Sequence, residues 1–378
     1  MKRVLFADAR AHDPEYEGSL PAKLEELLSR AGLERCVAPG DYVAVKLHLG
    51  SQGAFRTVRP VFVRKVVEAV RQAGGKPFVA ETTRIPGLEY LEVAAANGYT
   101  HHTCGAPVIL ADGIFGRDSV PVRVEGGRLV QEVGVASAVH DAPAMVVLTH
   151  AKGHMGPGFG GALKNIAMGG LGTRNRANQT NRGHLHTLEN RPPAWERERC
   201  TWCLTCAKIC PVGAIRIEVR ERWELEEARC DRCGRCVRSC EDGALSLPLS
   251  EELFARGMAE AARAVLSTFG PGKVLYVNFV LEVQPECDCM PSADTPVVQD
   301  QGILVGDDPV AVDQASLDLI DAAVPLPLSR AADRGIAEPG NLLGRLHGKR
   351  PELVLEYARE LGLGEREYYL ERVRRKRS

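Results

Sequence analysis

The sequence predicts an α/β body, built on a mixed or mostly parallel sheet, that is interrupted by a small α+β segment. Three observations predict it. Short β-branched runs alternate with longer amphipathic stretches on both sides of the interruption. Eight of the twelve cysteines crowd between Cys200 and Cys240. At 378 residues the chain exceeds one typical hydrophobic core, so an insertion or a second domain is expected. Residues 1–195 and 249–378 are therefore assigned to one body, and 196–248 to a projecting module.

The elements follow from pattern. The opening run Met1-Lys2-Arg3-Val4-Leu5-Phe6-Ala7-Asp8 lacks the apolar stretch of a signal peptide and reads as a strand over 3–8. Further strands are expected at 42–48, 77–81 and 144–150, with helices at 19–32, 59–73 and 88–97. Beyond the cysteines come a helix near 250–268, a strand at Val274-Leu275-Tyr276-Val277-Asn278-Phe279-Val280, and helices near 308–322 and 351–375.

The cysteines follow the pattern Cys200-x2-Cys203-x2-Cys206-x3-Cys210-Pro211, then Cys230-x2-Cys233-x2-Cys236-x3-Cys240. This is the spacing of a bacterial ferredoxin with two [4Fe–4S] clusters, in which the fourth cysteine of each run serves the other cluster. One cluster then takes Cys200, Cys203, Cys206 and Cys240, and the other takes Cys230, Cys233, Cys236 and Cys210. Thiolates are soft donors suited to iron. Paired zinc sites leave the third C-x2-C step and the Cys-Pro step unexplained, and a disulfide framework lacks a secretory context. Glu241 stands where proline usually follows the last cysteine, and Arg232, Arg235 and Arg238 among the second set read as a solvated face.

Composition is that of a globular chain, 44% hydrophobic and 26% charged, with formal net charge −1. Two thiolate-bound clusters would add about −2 each and bring it to about −5. Neither value suggests nucleic acid, and no stretch is long and apolar enough to span a membrane. The expected location is cytoplasmic, where thiols stay reduced. The basic stretch Arg372-Val373-Arg374-Arg375-Lys376-Arg377 reads as a solvated terminus.

Polar groups gather where α/β sheets keep their sites, at the carboxyl ends of strands. Lys46 and His48 close the second strand, while His150, Lys152 and His154 follow the run Met145-Val146-Val147-Leu148-Thr149. Alternation along an emerging strand puts the members of each group on a common side. Lys152 with a histidine would serve as acid and base. Cys287-Asp288-Cys289 follows the long strand and offers ligands for an additional mononuclear metal, or a redox-active thiol pair. The same residues read equally as packed thiols and hydrogen-bonded rim histidines.

Glycine-rich 153–172 does not match a P-loop, because Gly161 is followed by Ala162 and Lys164 comes late. Either an anion site forms at the start of a helix over 161–168, using Lys152 or Lys164, or the glycines allow close packing on the sheet. Asp308 before Pro309 reads as a helix cap, whereas Asp313 lies a turn further in. His184 and His186, with Arg174 and Arg176, read as an ordered linker.

His150-x-Lys152-Gly153-His154, Gly158-Phe159-Gly160-Gly161-Ala162-Leu163-Lys164-Asn165-Ile166-Ala167-Met168-Gly169, Cys287-Asp288-Cys289 and Asp308-Pro309-Val310-Ala311-Val312-Asp313 together resemble the DUF362 family. Arg59-Pro60-Val61-Phe62-Val63-Arg64 and the stretch 105–113 fit the same resemblance. It implies an iron–sulfur centre protein with a ferredoxin insertion and no settled reaction. The function expected is that of an iron–sulfur redox protein, of oxidoreductase type, passing electrons to or from a small molecule or redox partner at the α/β rim. The alternatives are a non-catalytic electron carrier or scaffold, and a non-redox transferase whose clusters are structural or handle sulfur.

Overall fold

The computed structural model describes residues 1–373 except 13, 85–86, 175–179, 186–191, 211, 231–233 and 247–249. Cys233, Arg176, His186 and Arg232, singled out above, lie outside the described residues, as does the side chain of Arg238.

Eight strands form the main sheet: β1 (Lys2–Asp8), β2 (Tyr42–Lys46), β3 (Lys76–Glu81), β4 (Val108–Leu110), β5 (Ala144–His150), β6 (Val274–Val280), β7 (Gly302–Gly306) and β8 (Tyr368–Arg372). Their order is β8-β1-β7-β6-β5-β2-β3-β4. The run β6-β5-β2-β3-β4 is parallel throughout, while β7 lies antiparallel to both β6 and β1. The carboxyl ends of five strands therefore share one edge, the usual place for a site in such sheets.

Period two assigns the faces. Val43, Val45, Val146, Leu148, Val277 and Phe279 point to one side, where α1 (Leu20–Ala31), α2 (Pro60–Gln72) and α3 (Gly87–Ala96) cover them. Ala44, Met145, Val147, Tyr276 and Leu304 point to the other, under α4 (Ala162–Gly169), α5 (Glu251–Leu266), α6 (Pro309–Ala322) and α7 (Leu353–Glu360). Strands buried on both faces read as continuous apolar runs, and β5 is buried at every position. The helices begin where expected: Ser19 caps α1, with Pro21 in its first turn, and Asp308 accepts the Ala311 N–H at 2.9 Å to cap α6.

The expected helix over 351–375 is corrected. Gly362 at φ +74° closes α7 while the Gly362 and Leu363 amides bond back to Arg359 and Ala358. Gly364 then has no room for a Cβ beside the Asp308 carboxylate, and the chain turns into β8, parallel to β1 in the register Lys2 with Tyr368. The tyrosine pair Tyr368-Tyr369 followed by Leu370 suits a half-buried edge strand. Strands β4 and β7 were not anticipated, being too short or too glycine-flanked to show a period.

The cysteine-rich segment has its own small apolar cluster, in which Ile215, Cys236 and Leu245 are buried with Trp195, Trp223, Cys206, Cys210 and Cys240 packed around them. Two short antiparallel pairs frame it, Ala194–Trp195 with Leu245–Ser246 and Ile215–Glu218 with Arg222–Leu225.

Candidate functional site

Three charged knots meet at the carboxyl edge of the sheet. In the first, Lys46 at the end of β2 places Nζ 3.1 Å from Glu81 Oε1 at the end of β3 and 2.8 Å from Asn165 Oδ1 on α4. Burial pulls the Lys46 pKa down although Glu81 supports its charge. Asn165 is fixed in turn by the Leu148 carbonyl and the Thr149 hydroxyl, both at 3.0 Å.

The second knot is centred on Asp288, which is 1% exposed. His150 Nδ1 lies 2.8 Å and Gln284 Nε2 3.0 Å from Oδ1, and Lys152 Nζ lies 3.0 Å from Oδ2. Burial opposes ionisation of this carboxyl, but Lys152 and His150 outweigh it and hold it below the usual carboxylate range. His48, whose Nδ1 accepts the Gly50 N–H at 2.8 Å, borders this knot, and burial takes its pKa down to about 4.

The third knot is sulfur. The ligand atoms of His154, Cys287 and Cys289 lie within 4.8 Å of one another, so they form a group that could bind a metal. Cys287 Sγ receives Lys164 Nζ and the Cys289 N–H, each at 3.3 Å. A hydrogen bond with Cys289, then the Lys164 ammonium, outweigh burial and hold the Cys287 thiol well below its ordinary range, while Cys289 is pushed up. The two sulfurs are thus pushed in opposite directions, Cys287 toward thiolate and Cys289 toward thiol. His154 Nδ1 accepts the Gly156 N–H at 2.9 Å, which leaves Nε2 to carry the proton of the neutral ring.

The chain is matched over residues 43–318 by the family model described as "Domain of unknown function (DUF362)". It belongs to the DUF362 family. No curated protein matches it. A solved structure, the lactate racemase apoprotein from Thermoanaerobacterium thermosaccharolyticum, is similar at 10% identity and TM-score 0.34, covering 74% of this chain and 51% of that one. The chain thus spans about half the length of that structure.

In this DUF362 chain, then, Lys46, His48, His150, Lys152, His154, Cys287 and Cys289 share one rim. The start of α4 is not an anion site: the Asp313 carboxylate takes the Ala162 N–H at 2.6 Å and the Leu163 N–H at 2.9 Å. Asp313 is a cap for a helix other than its own. Glu81, Arg84 and Arg182 were not anticipated. Arg84 donates to the Cys289 carbonyl at 3.0 Å and to the Ser51 hydroxyl, and Arg182 donates to the Thr83 carbonyl at 2.9 Å. Applying the strand-end rule to β3 would have found Glu81-Thr82-Thr83-Arg84; nothing in the sequence marks Arg182.

Arg235 also corrects an expectation. Rather than standing on a solvated face, its guanidinium donates to the Arg84 carbonyl at 2.8 Å. Elsewhere in the cysteine-rich segment Cys200, Cys203, Cys206 and Cys240 line a single pocket together with Trp195. The Trp195 indole N–H is buried there without an acceptor among the described residues. A separate cavity of about 110 Å³ opens beside His150, between Leu20, Phe62, Phe279, Leu281, Glu282 and Asp300. Among the described residues no helix is long and apolar enough to cross a membrane.

Proposed function

We propose that this DUF362 protein is an iron–sulfur redox protein that holds two [4Fe–4S] clusters in an inserted module, residues 196–248, and passes electrons to or from a small molecule or partner at the strand-end rim. The observation carrying this reading is the pocket lined by Cys200, Cys203, Cys206 and Cys240, which joins three thiols of one run to the last thiol of the other. Four soft donors around one cavity, with an unpaired buried indole N–H in its wall, fit a sulfur-rich anionic group. The second set would be Cys230, Cys233, Cys236 and Cys210. Such clusters supply one electron at a time when bound.

The rim residues do the remaining work. Asp288 orients His150 and Lys152, Lys164 stabilises charge on Cys287, and the cavity beside His150 offers a small molecule an apolar wall with one titratable face. A second reading places a mononuclear metal on His154, Cys287 and Cys289, favoured by the convergence of their ligand atoms.

Anaerobically isolated protein is expected to carry about eight irons and a broad visible absorbance that dithionite bleaches. Stoichiometric zinc in their place would sink the iron–sulfur reading. Metal analysis of a variant lacking Cys287 and Cys289 separates the two rim readings, since only the metal reading loses a non-cluster metal.

A further inference from the structure

Resting on the iron–sulfur reading, we propose that Cys287 and Cys289 form a dithiol–disulfide couple that exchanges two electrons with the clusters, and that Arg235 and Arg84 join the second cysteine run to it. The connection is continuous. Arg235 adjoins the cluster ligand Cys236 in the chain, and its guanidinium donates to the Arg84 carbonyl at 2.8 Å. The Arg84 guanidinium donates to the Cys289 carbonyl at 3.0 Å, and the Ser51 hydroxyl donates to the same oxygen at 2.8 Å. A continuous series of covalent and hydrogen bonds thus runs from Cys236 through two arginine side chains to the Cys289 backbone beside the thiol pair.

The thiol pair is built for the exchange. Cys287 Sγ faces two donors at 3.3 Å, the Lys164 ammonium and the Cys289 amide, which favour a thiolate. The two sulfurs lie within 4.8 Å of each other, close enough to bond after a local shift. As the S–S bond forms, the Cys287 thiolate and the Cys289 thiol release two electrons and the Cys289 proton. The electrons leave singly, one to each thiolate-held cluster, so a two-electron couple matches two one-electron acceptors. The reverse step consumes two electrons and one proton and restores thiolate and thiol.

The test uses the anaerobic, cluster-loaded full chain, treated with oxidised glutathione and freed of it. Photoreduced deazaflavin is then titrated in while visible absorbance is followed, and thiols are counted by alkylation and mass spectrometry. The wild type is expected to take up about four electrons per chain and Cys289→Ser about two. After a reducing pulse, bleached clusters should recover as Cys287 and Cys289 become alkylatable. Arg235→Ala should slow that recovery at least about ten-fold with iron content unchanged, and Arg235→Lys should restore part of the rate. Ser51→Ala, which leaves the cysteine-rich segment untouched, should slow the same step. Uptake of only two electrons by the wild type, with Cys287 and Cys289 unaltered, overturns the couple. Wild-type recovery rates in both Arg235→Ala and Ser51→Ala overturn the joint. Absence of any bleachable cluster instead overturns the underlying iron–sulfur reading.

Discussion

Asp288 and Asp313 are buried carboxylates of the same type pushed in opposite directions, and the difference lies in their partners. Asp288 faces Lys152 and His150 and ionises more readily than usual; Asp313 faces two amides and Asn278 with no cation, and burial raises its pKa to about 6. The signs follow. Asp288 contributes stability that is fully present above its unfolded value of about 4 and is lost as pH falls toward its lower folded value. Asp313 binds its proton more tightly when folded, so its contribution is greatest below about pH 4 and declines as pH rises through about 6. Asp288→Asn strands Lys152 in the interior and should cost roughly 3–5 kcal/mol in urea unfolding at neutral pH. Among the thiols, Lys164→Met removes the ammonium nearest Cys287. Its alkylation by iodoacetamide near pH 7, followed by peptide mass mapping, should slow several-fold, whereas Cys36, which burial pushes up to about 11, should be unaffected.

At the scale of elements, the glycine-rich stretch before α4 does packing work. A Cβ on Gly161 would sit 2.4 Å from both Asp313 Oδ1 and the Phe159 ring; Asp313 cannot retreat without losing the α4 cap, and the Phe159 ring is packed in the core. Gly161→Ala should therefore destabilise the protein by about 1–3 kcal/mol in chemical denaturation. Alternation of β-branched and amphipathic stretches made the central strands and α1 to α6 legible within a few residues, because those elements are long and covered on defined faces. It failed after Glu360. There the charged run Glu365-Arg366-Glu367 looks helical, but a left-handed Gly362 and the crowding at Gly364 override it. The site was legible where a motif ended a strand, as with Lys46 and His150. It was illegible where a side chain arrives from a short helix distant in sequence, as with Arg182, because only tertiary packing brings that residue to Thr82 and Thr83.

For the whole molecule, the family match ends at residue 318 and begins at 43, yet β1 and β8 lie outside those limits and close one side of the sheet. A fragment of residues 43–318 would leave β7, buried at all five positions, as a bare edge. Light scattering should find that fragment aggregated where the full chain is dispersed. The same arrangement sets an order of events during synthesis. The first strand pairs with no strand among the residues that follow it directly; its strand partners are residues 302–305 and 368–372. While the ribosome is still making those, the cysteine-rich segment, held by contacts within 194–246, has already emerged and can close on itself. If they hold the proposed clusters, its thiols would be accessible to loading before the rim they would serve has a finished sheet to stand on.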